Sequence, residues 1–114
     1  DYRLGVKGEF LLGANEMRTN MVIPTPILEL IKFRVSPSHK YRSILGEEMY
    51  PLEKAIDAGL MDQVVDSDKL MEAAMETAKD LATMGHPSYT LTKALYIKDV
   101  ADSIDNAIKD LETQ

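Results

Sequence analysis

Positions 55–65 read Ala-Ile-Asp-Ala-Gly-Leu-Met-Asp-Gln-Val-Val, and this run shows how the chain divides into helix and strand. Pro51 predicts the start of a short helix through Ala58, because proline fits the first turn of a helix. Gly59 predicts its end, since glycine is the usual residue just past a helix C-terminus. Residues 60–65 then predict a short extended segment. The run is therefore predicted to be a helix end, a glycine stop and a short strand in succession.

The first dozen residues contain the other strand signals. Residues 2–6 and 9–12 are short apolar or aromatic runs, and Lys7-Gly8 between them predicts a turn. Gly13-Ala14-Asn15 then interrupts the strand pattern immediately before Glu16. We therefore expect Glu16 on a loop or at a helix start, at the edge of a sheet.

From Thr25 onward the chain is predicted to be mostly helical. Thr25-Pro26 and Ser36-Pro37 each place a capping residue before a proline, and Ser67 is predicted to cap the clearest helix. The predicted helices cover residues 27–35, 38–45 (ended by Gly46), 68–84, 87–98 and 101–111. The fold class expected is α/β, a short strand pair followed by a mostly α-helical C-terminal region.

The composition excludes several classes of protein. The net charge is −6, from 13 basic and 19 acidic residues, whereas nonspecific binding to nucleic acid needs a basic surface. The chain has no cysteine, so disulfides, thiolate nucleophiles and cysteine-based zinc sites are excluded. No apolar stretch approaches the roughly 20 residues that a membrane-spanning helix needs. We expect a soluble protein that binds neither nucleic acid nor membrane, and a cytoplasmic one if the source is bacterial.

The length and the short motifs narrow the possibilities further. The chain has 114 residues, enough for one small domain. Its start, Asp1-Tyr2-Arg3, has neither an initiator methionine nor a signal-peptide pattern, which predicts a fragment or a processed product. The sequence contains no G-x-S-x-G elbow, P-loop or GxGxxG, so serine hydrolases and nucleotide-binding folds have no support. No histidine or acidic cluster has metal-ligand spacing, and we expect no metal.

Several runs, taken in order along the chain, resemble motifs of the crotonase superfamily, the enoyl-CoA hydratases and isomerases. Asp1-Tyr2-Arg3 resembles the end of the family's Cys-Asp-Tyr-Arg strand, and Gly13-Ala14-Asn15-Glu16 resembles its Gly-Leu-Asn-Glu. Residues 55–65 resemble its Ala-x-x-x-Gly-(Leu/Ile)-Val-Asp-x-Val-Val signature. Leu91-Thr92-Lys93-Ala94 resembles its late (Leu/Ala)-Thr-Lys-x helix. The resemblance covers essentially the whole chain.

The resemblance implies that the chain is the C-terminal half of a crotonase fold. Residues 1–25 would then hold the end of the core sheet and the catalytic loop, and residues 26–114 a helical region with C-terminal trimerisation helices. The N-terminal half would carry both peptide N–H groups of the oxyanion hole and most of the CoA-binding loop. The implied partners are an acyl-CoA substrate, the missing N-terminal half, and further copies in a homo-trimer or hexamer.

Glu16 is the catalytic residue that the resemblance implies. In this family an oxyanion hole stabilises the enolate that forms when the C2 proton of the thioester leaves, and a carboxylate moves that proton. Isomerases use one glutamate, which returns the proton at C4, whereas hydratases use two to activate a water, and the second of these matches Glu16. Coenzyme A is part of the substrate, so no separate cofactor is expected. Without the resemblance, Glu16 is a solvated loop carboxylate or a charge at a helix N-terminus.

Further residues are expected to contact the substrate. An apolar pocket for the acyl chain is expected from the residues that follow Glu16: Met17, Met21, Val22, Ile23 and Pro24. Lys93 is expected to bind a phosphate of CoA, because lysine is a compact phosphate-binding charge. The alternative for Lys93 is a helix lysine whose stem covers apolar surface.

One departure from the family pattern bears on the reaction. Positions 23–30 read Ile-Pro-Thr-Pro-Ile-Leu-Glu-Leu, where hydratases of the family usually carry Ile-Pro-Gly-x-Gly-Gly-Thr-Gln. The Asn15-Glu16 pair and the missing Gly-Gly-Thr resemble the enoyl-CoA delta isomerase branch. The function expected is proton transfer on acyl-CoA thioesters, with isomerisation favoured over hydration. The alternatives are a non-catalytic CoA-ester-binding or scaffold relative, an inactive fragment, and a helical interaction module that uses the amphipathic faces of residues 68–84 and 101–111.

Overall fold

The computed structural model describes residues 1–113. Its strands are β1 (Leu4–Val6), β2 (Leu11–Leu12), β3 (Tyr50–Pro51) and β4 (Gln63–Val65). Its helices are α1 (Thr25–Arg34), α2 (Lys40–Ile44), α3 (Leu52–Ala55), α4 (Leu70–Ala82) and α5 (Pro87–Glu112). Single turns of 3₁₀-helix span Glu16–Thr19, Pro37–His39 and Ser67–Lys69. The predicted α/β class, with short strands followed by a mostly helical region, is confirmed.

The two N-terminal strands lie within their predicted ranges, but they do not pair with each other. β1 pairs in parallel with β4, with Gly5 opposite Val64. β2 pairs antiparallel with β3, with Leu12 opposite Tyr50. The turn predicted at Lys7-Gly8 therefore closes no hairpin, because each strand finds its partner much later in the chain.

Arg3 connects the first residues to the end of the 55–65 run. Its backbone N–H and its Nε donate to Oδ2 of Asp62 at 2.8 and 3.1 Å, and its Nη1 donates to the carbonyl oxygen of Gly59 at 2.8 Å. Burial opposes ionisation of Asp62, but the hydrogen bonds and positive charge of Arg3 outweigh it, so the pKa of Asp62 is lowered. The pair fixes the start of β1 beside the start of β4.

The core lies around the 55–65 run. Ala55 and Ala58 are fully buried and Tyr50 is 2% exposed. The apolar residues packed against them are Leu12, Leu60 and Met61. α3 ends at Ala55, earlier than predicted, and a turn follows through Gly59, whose φ is +83°. An added Cβ at Gly59 would lie 2.6 Å from the carbonyl oxygen of Arg34, so both the left-handed backbone and the close approach require glycine.

α5 is one continuous helix, whereas the sequence pattern predicts two helices with a break between residues 98 and 101. No glycine or proline occurs in residues 88–112, so nothing interrupts the helical hydrogen bonds there. Lys98 contacts Asp102 at 2.8 Å across the predicted break, one turn along the same face. The helix packs against α1, and the rings of Tyr96 and Phe33 have centroids 5.4 Å apart.

The predicted capping residues lie near helix starts but do not cap them. Thr25 lies inside α1, and the N-cap position belongs to Pro24. The Ser36 hydroxyl donates instead to the carbonyl oxygen of Asp57 at 2.8 Å, because the turn through Gly59 passes beside it. Ser67 lies within its 3₁₀ turn, and no side-chain cap is made there.

The chain exposes more surface than a typical folded protein of its size. Its accessible surface is 8170 Å², whereas a monomer of 12.8 kDa typically exposes about 6,300 Å². Its radius of gyration is 16.2 Å, against about 13 Å for a compact domain of this length. Large apolar side chains on α4 and α5 contribute to the exposed surface: Met71, Met75, Leu91, Leu95 and Tyr96. The chain is therefore open, with apolar helix faces in contact with solvent.

Candidate active site

Glu16 begins the 3₁₀ turn Glu16–Thr19, which connects β2 to α1. The Thr19 hydroxyl donates to the Glu16 carbonyl oxygen at 2.8 Å, and the N–H of Asn20 donates to the Met17 carbonyl oxygen at 3.0 Å. Asn20 ends the turn with a φ of 60°, a left-handed conformation that asparagine adopts more readily than most residues. The expectation that Glu16 lies on a loop or at a helix start is confirmed.

The Glu16 side chain is half-buried, and its Oε2 is buried without a hydrogen-bond partner among the described residues. Leaving a buried polar atom unpaired costs about 1–3 kcal/mol, and more for a charged group, so most such atoms are paired. Exceptions are found at catalytic groups, among other places.

An open apolar cavity of about 420 Å³ begins at the residue after Glu16. The residues that line it are Met17, Asn20, Met21, Val22, Ile23, Leu28, Ile44 and Leu45. The structure thus brings together four of the expected acyl-pocket residues, the ones at positions 17 and 21–23. Pro24 lies at the N-cap of α1, next to this lining.

The far wall of the cavity comes from residues that the sequence analysis does not identify. Leu28 is on α1, and Ile44 and Leu45 lie at the end of α2. From their spacing along the chain, these three residues are predicted only to lie on the apolar faces of helices. The packing of α1 beside α2 places them opposite Met17 and Met21, and no local pattern predicts that packing.

Lys93 lies on α5 and forms an ion pair with Asp1. Its Nζ is 2.8 Å from Oδ1 and 2.9 Å from Oδ2 of Asp1, and both side chains are about half exposed. The charge that the sequence analysis assigns to a CoA phosphate therefore already has a carboxylate partner. An exposed pair of this kind contributes little to stability, so it can be exchanged for another anion at small cost.

The loop after α2 agrees with its prediction in one respect and differs in another. α2 ends at Ile44, just before Gly46, as predicted, but the left-handed conformation falls on Glu47, with a φ of +51°. Gly46 is instead needed for space, because an added Cβ would lie 2.8 Å from the carbonyl oxygen of Arg42. Arg42 donates from Nε and Nη2 to the Glu48 carboxylate at 2.7 and 2.8 Å. These hydrogen bonds raise the pKa of Arg42 and lower that of Glu48.

A buried network lies behind the loop that carries Glu16. The hydroxyl of Tyr50 is 2.8 Å from Oγ of buried Ser43 and 3.0 Å from Nδ1 of His39. His39 thus packs against the core, whereas its place at a helix start predicts a cap or an exposed residue. A small apolar cavity of about 120 Å³ lies between this network and the loop, lined by Leu12, Gly13, Ala14, Ile31, Ser43, Tyr50 and Leu60.

Residues 1–113 contain neither of two further features, a metal-binding cluster and a membrane-spanning helix. No group of histidine and acidic side chains in this part of the chain is arranged to hold a metal ion. None of the described helices combines the length and the apolar character needed to cross a bilayer.

The known proteins that resemble this chain are found among solved structures. No protein-family profile matches the sequence, and no curated protein does either. An enoyl-CoA hydratase/isomerase family protein from Pseudomonas syringae has a TM-score of 0.89 and 34% identity, and the match covers 96% of this chain and 48% of that protein. An enoyl-CoA isomerase from Mycobacterium tuberculosis has a TM-score of 0.89 and 24% identity, with coverage of 100% and 50%. Human mitochondrial delta3-delta2-enoyl-CoA isomerase has a TM-score of 0.79 and 19% identity, with coverage of 96% and 46%.

The chain has the crotonase fold. The resemblance to this superfamily that the sequence predicts is confirmed. The chain spans about half the length of the solved proteins it matches, in agreement with the expected C-terminal half. The matches below 25% identity show a shared fold and carry no information about activity.

Within this crotonase fold, the signature run at 55–65 has a structural role. Its alanines fill the core, Gly59 makes the left-handed turn, and Asp62 binds Arg3 at the start of β1. No residue of the run lines the cavity beside Glu16. The catalytic candidate therefore lies in a different segment from the strongest sequence signature.

Proposed function

We propose that the natural protein containing these residues acts on acyl-CoA thioesters, with Glu16 carrying the proton at C2. The observation that supports this most directly is the buried, unpartnered Oε2 of Glu16. It lies on a turn that resembles the family's catalytic loop and that opens onto an apolar cavity. An apolar cavity beside a carboxylate suits a substrate whose acyl chain is apolar and whose reacting carbon carries an acidic proton.

The proposed reaction begins when the Glu16 carboxylate takes the proton from C2 of a 3-enoyl-CoA. The electron pair of the broken C–H bond moves towards the thioester carbonyl and forms an enolate. Peptide N–H groups stabilise the enolate oxygen, and the resemblance places these groups in the N-terminal half. The protonated Glu16 then returns its proton at C4, so the double bond moves from C3–C4 to C2–C3 and the atoms balance without a co-reactant.

The remaining residues of this site bind the substrate. Met17, Met21, Val22 and Ile23 contact the acyl chain from one side of the cavity, and Pro24 limits it at the start of α1. Methionine suits such a wall because its flexible thioether adapts to chains of different shape. Lys93 exchanges Asp1 for a phosphate of the CoA moiety when substrate is bound.

Isomerisation is favoured over hydration. The Asn15-Glu16 pair and the absence of Gly-Gly-Thr after Pro24 support it. A water-adding hydratase would need a second glutamate, which the resemblance places in the N-terminal half.

The test measures exchange of the C2 proton and movement of the double bond on a 3-enoyl-CoA in deuterium oxide by NMR. Glu16→Gln keeps the size of the side chain but removes the basic oxygen, and we expect both rates to fall by about 10²–10⁴-fold. Glu9→Gln, at an exposed glutamate, serves as the matched control and retains both rates. Unchanged rates in Glu16→Gln would refute the proposal.

A second candidate function is a non-catalytic scaffold that binds a CoA ester and assembles into a homo-trimer or hexamer. The large exposed surface, with apolar faces on α4 and α5, favours assembly. This candidate predicts oligomers by light scattering together with no deuterium at C2 of a bound acyl-CoA. Deuterium incorporation by the wild-type protein would exclude it.

A further inference from the structure

We infer that Arg18 and Glu47 form a positioning pair that holds in place the turn carrying Glu16; the inference rests on the proposed function of Glu16. Arg18 lies two residues after Glu16 in the same 3₁₀ turn. Its Nη2 donates to the carbonyl oxygen of Glu47 at 3.0 Å, and its Nε lies 3.4 Å from Oε2 of the same residue. The guanidinium therefore engages both the backbone and the side chain of Glu47.

The turn needs support of this kind because packing does not provide it. None of the residues of Glu16–Thr19 is buried, and Met17 is 38% exposed. A single turn of 3₁₀-helix has poor hydrogen-bond geometry and fixes its own backbone weakly. The Arg18 side chain, which is 58% exposed, connects this turn to the loop after α2.

Glu47 provides a rigid end for that contact. Its φ of +51° is unusual for a residue with a side chain, and its side chain is only 15% exposed. The adjacent Glu48 is fixed by its two hydrogen bonds from Arg42, and its N–H donates to the Arg42 carbonyl oxygen at 2.9 Å. A strained backbone persists only where its surroundings hold it, and such residues cluster at functional sites.

A second observation connects Glu47 with Glu16. In residues 1–113, the buried side-chain oxygens without a hydrogen-bond partner are Oε2 of Glu16 and Oε1 of Glu47. Arg18 connects the two residues, since it lies two positions after Glu16 in the turn and its Nε lies 3.4 Å from Oε2 of Glu47. The Arg18 contact thus links the residue with the left-handed backbone to the turn that carries the catalytic candidate.

The pair acts on catalysis through geometry. The base must lie within hydrogen-bond reach of the proton it removes, and an error of about 1 Å in the position of a reacting group costs about 100-fold in rate. Arg18 is a positioning residue in this scheme, because it holds the turn and takes no part in the proton transfer.

The test measures kcat and KM for C2-proton exchange in Arg18→Met and Glu47→Gln, made in the natural protein that contains residues 1–114. We expect kcat to fall about 100-fold in Arg18→Met and less in Glu47→Gln, with KM unchanged. Arg18→Lys keeps the charge but not the forked geometry, and we expect it to recover part of the lost kcat. Lys32→Met, which breaks the exposed pair with Glu29 at 3.3 Å on α1, is the matched control and retains wild-type kcat.

Double variants separate positioning from substrate binding. In a Glu16→Gln background, Arg18→Met causes no further loss, because there is no base left to position. A raised KM with unchanged kcat in Arg18→Met would show that Arg18 contacts the substrate, and would overturn the inference. If Glu16→Gln abolishes exchange while Arg18→Met keeps wild-type kcat, the inference fails and the proposed function stands. If Glu16→Gln keeps the wild-type exchange rate, both the proposed function and the inference about Arg18 fail.

Discussion

The 55–65 run buries its alanines completely, whereas the turn Glu16–Thr19 buries none of its residues. The run is held by close packing, by the left-handed Gly59 and by the hydrogen bonds between Asp62 and Arg3. The turn has no buried residue, and its polar contacts include those of Arg18 with Glu47 and of Thr19 with Glu16. Although the two segments belong to one small chain, different interactions stabilise them.

The two runs that resemble the family therefore have different roles. The longest run that resembles the family, residues 55–65, builds the scaffold, and the shorter one, residues 13–16, presents the catalytic candidate. Substitutions in the first are expected to change stability, and substitutions in the second to change activity with little effect on stability. This division, between the core packed around residues 55–65 and the turn Glu16–Thr19, is testable in the natural protein that contains residues 1–114.

The largest effect on stability is expected for Tyr50→Ala. Removing a large buried side chain leaves a cavity, and its loss also leaves buried Ser43 without the 2.8 Å hydroxyl contact. We expect the free energy of unfolding in urea to fall by about 3–5 kcal/mol. Met17→Ala, in the exposed turn, is the comparison and should cost less than about 1 kcal/mol. Equal losses in the two variants would contradict the division.

A smaller effect is expected for Gly59→Ala. A left-handed φ costs an L-residue about 1–2 kcal/mol, and the new Cβ would lie 2.6 Å from the carbonyl oxygen of Arg34. We expect a loss of about 2–3 kcal/mol by urea unfolding. Gly59→Asn separates the cost of the left-handed backbone from the cost of the close contact, because asparagine tolerates the left-handed backbone but carries the same Cβ. A milder loss in Gly59→Asn would assign the cost to conformation, and equal losses would assign it to the contact with Arg34.

The smallest effect concerns the pH dependence of stability in Asp62→Asn. The folded-state pKa of Asp62 is lowered, so its ionised form stabilises the fold above the unfolded pKa of about 3.9. That contribution is lost as the pH falls through the lower, folded value. Wild type should therefore exceed Asp62→Asn in stability by a constant amount above about pH 5, and the gap should close in more acidic solution. A gap that does not change with pH would show that the charge of Asp62 is not what stabilises the pair.

Local patterns predict much of the fold and little of its long-range pairing. The mostly helical body and the left-handed turn at Gly59 follow from glycine and proline positions, because these residues act on their own backbone. The pairing of β1 with β4 joins residues 59 positions apart, as in the Arg3–Asp62 contact, and no short window contains both partners. The continuity of α5 through residues 98–101 is missed because an irregular apolar pattern resembles a break.

Some residues of the candidate site can likewise be predicted from the sequence, and others cannot. The sequence predicts Glu16 because it ends a run that resembles a known motif, and it predicts the residues directly after Glu16 because they are apolar and adjacent in the chain. Leu28, Ile44 and Leu45 are missed because they reach the cavity only when α1 and α2 pack together. Glu47 is missed for a different reason, since Gly46 beside it is the expected residue for a left-handed backbone.

The parallel pairing of β1 with β4 also determines the order in which the chain can fold. β1 has no partner until residues 63–65 have been made, and closing so long a loop costs entropy before any strand contact is gained. During synthesis, the β1–β4 pair can therefore form only after residues 63–65 have been made. We expect this pair to form more slowly than the helices, because its contacts are distant in sequence whereas helical contacts are local.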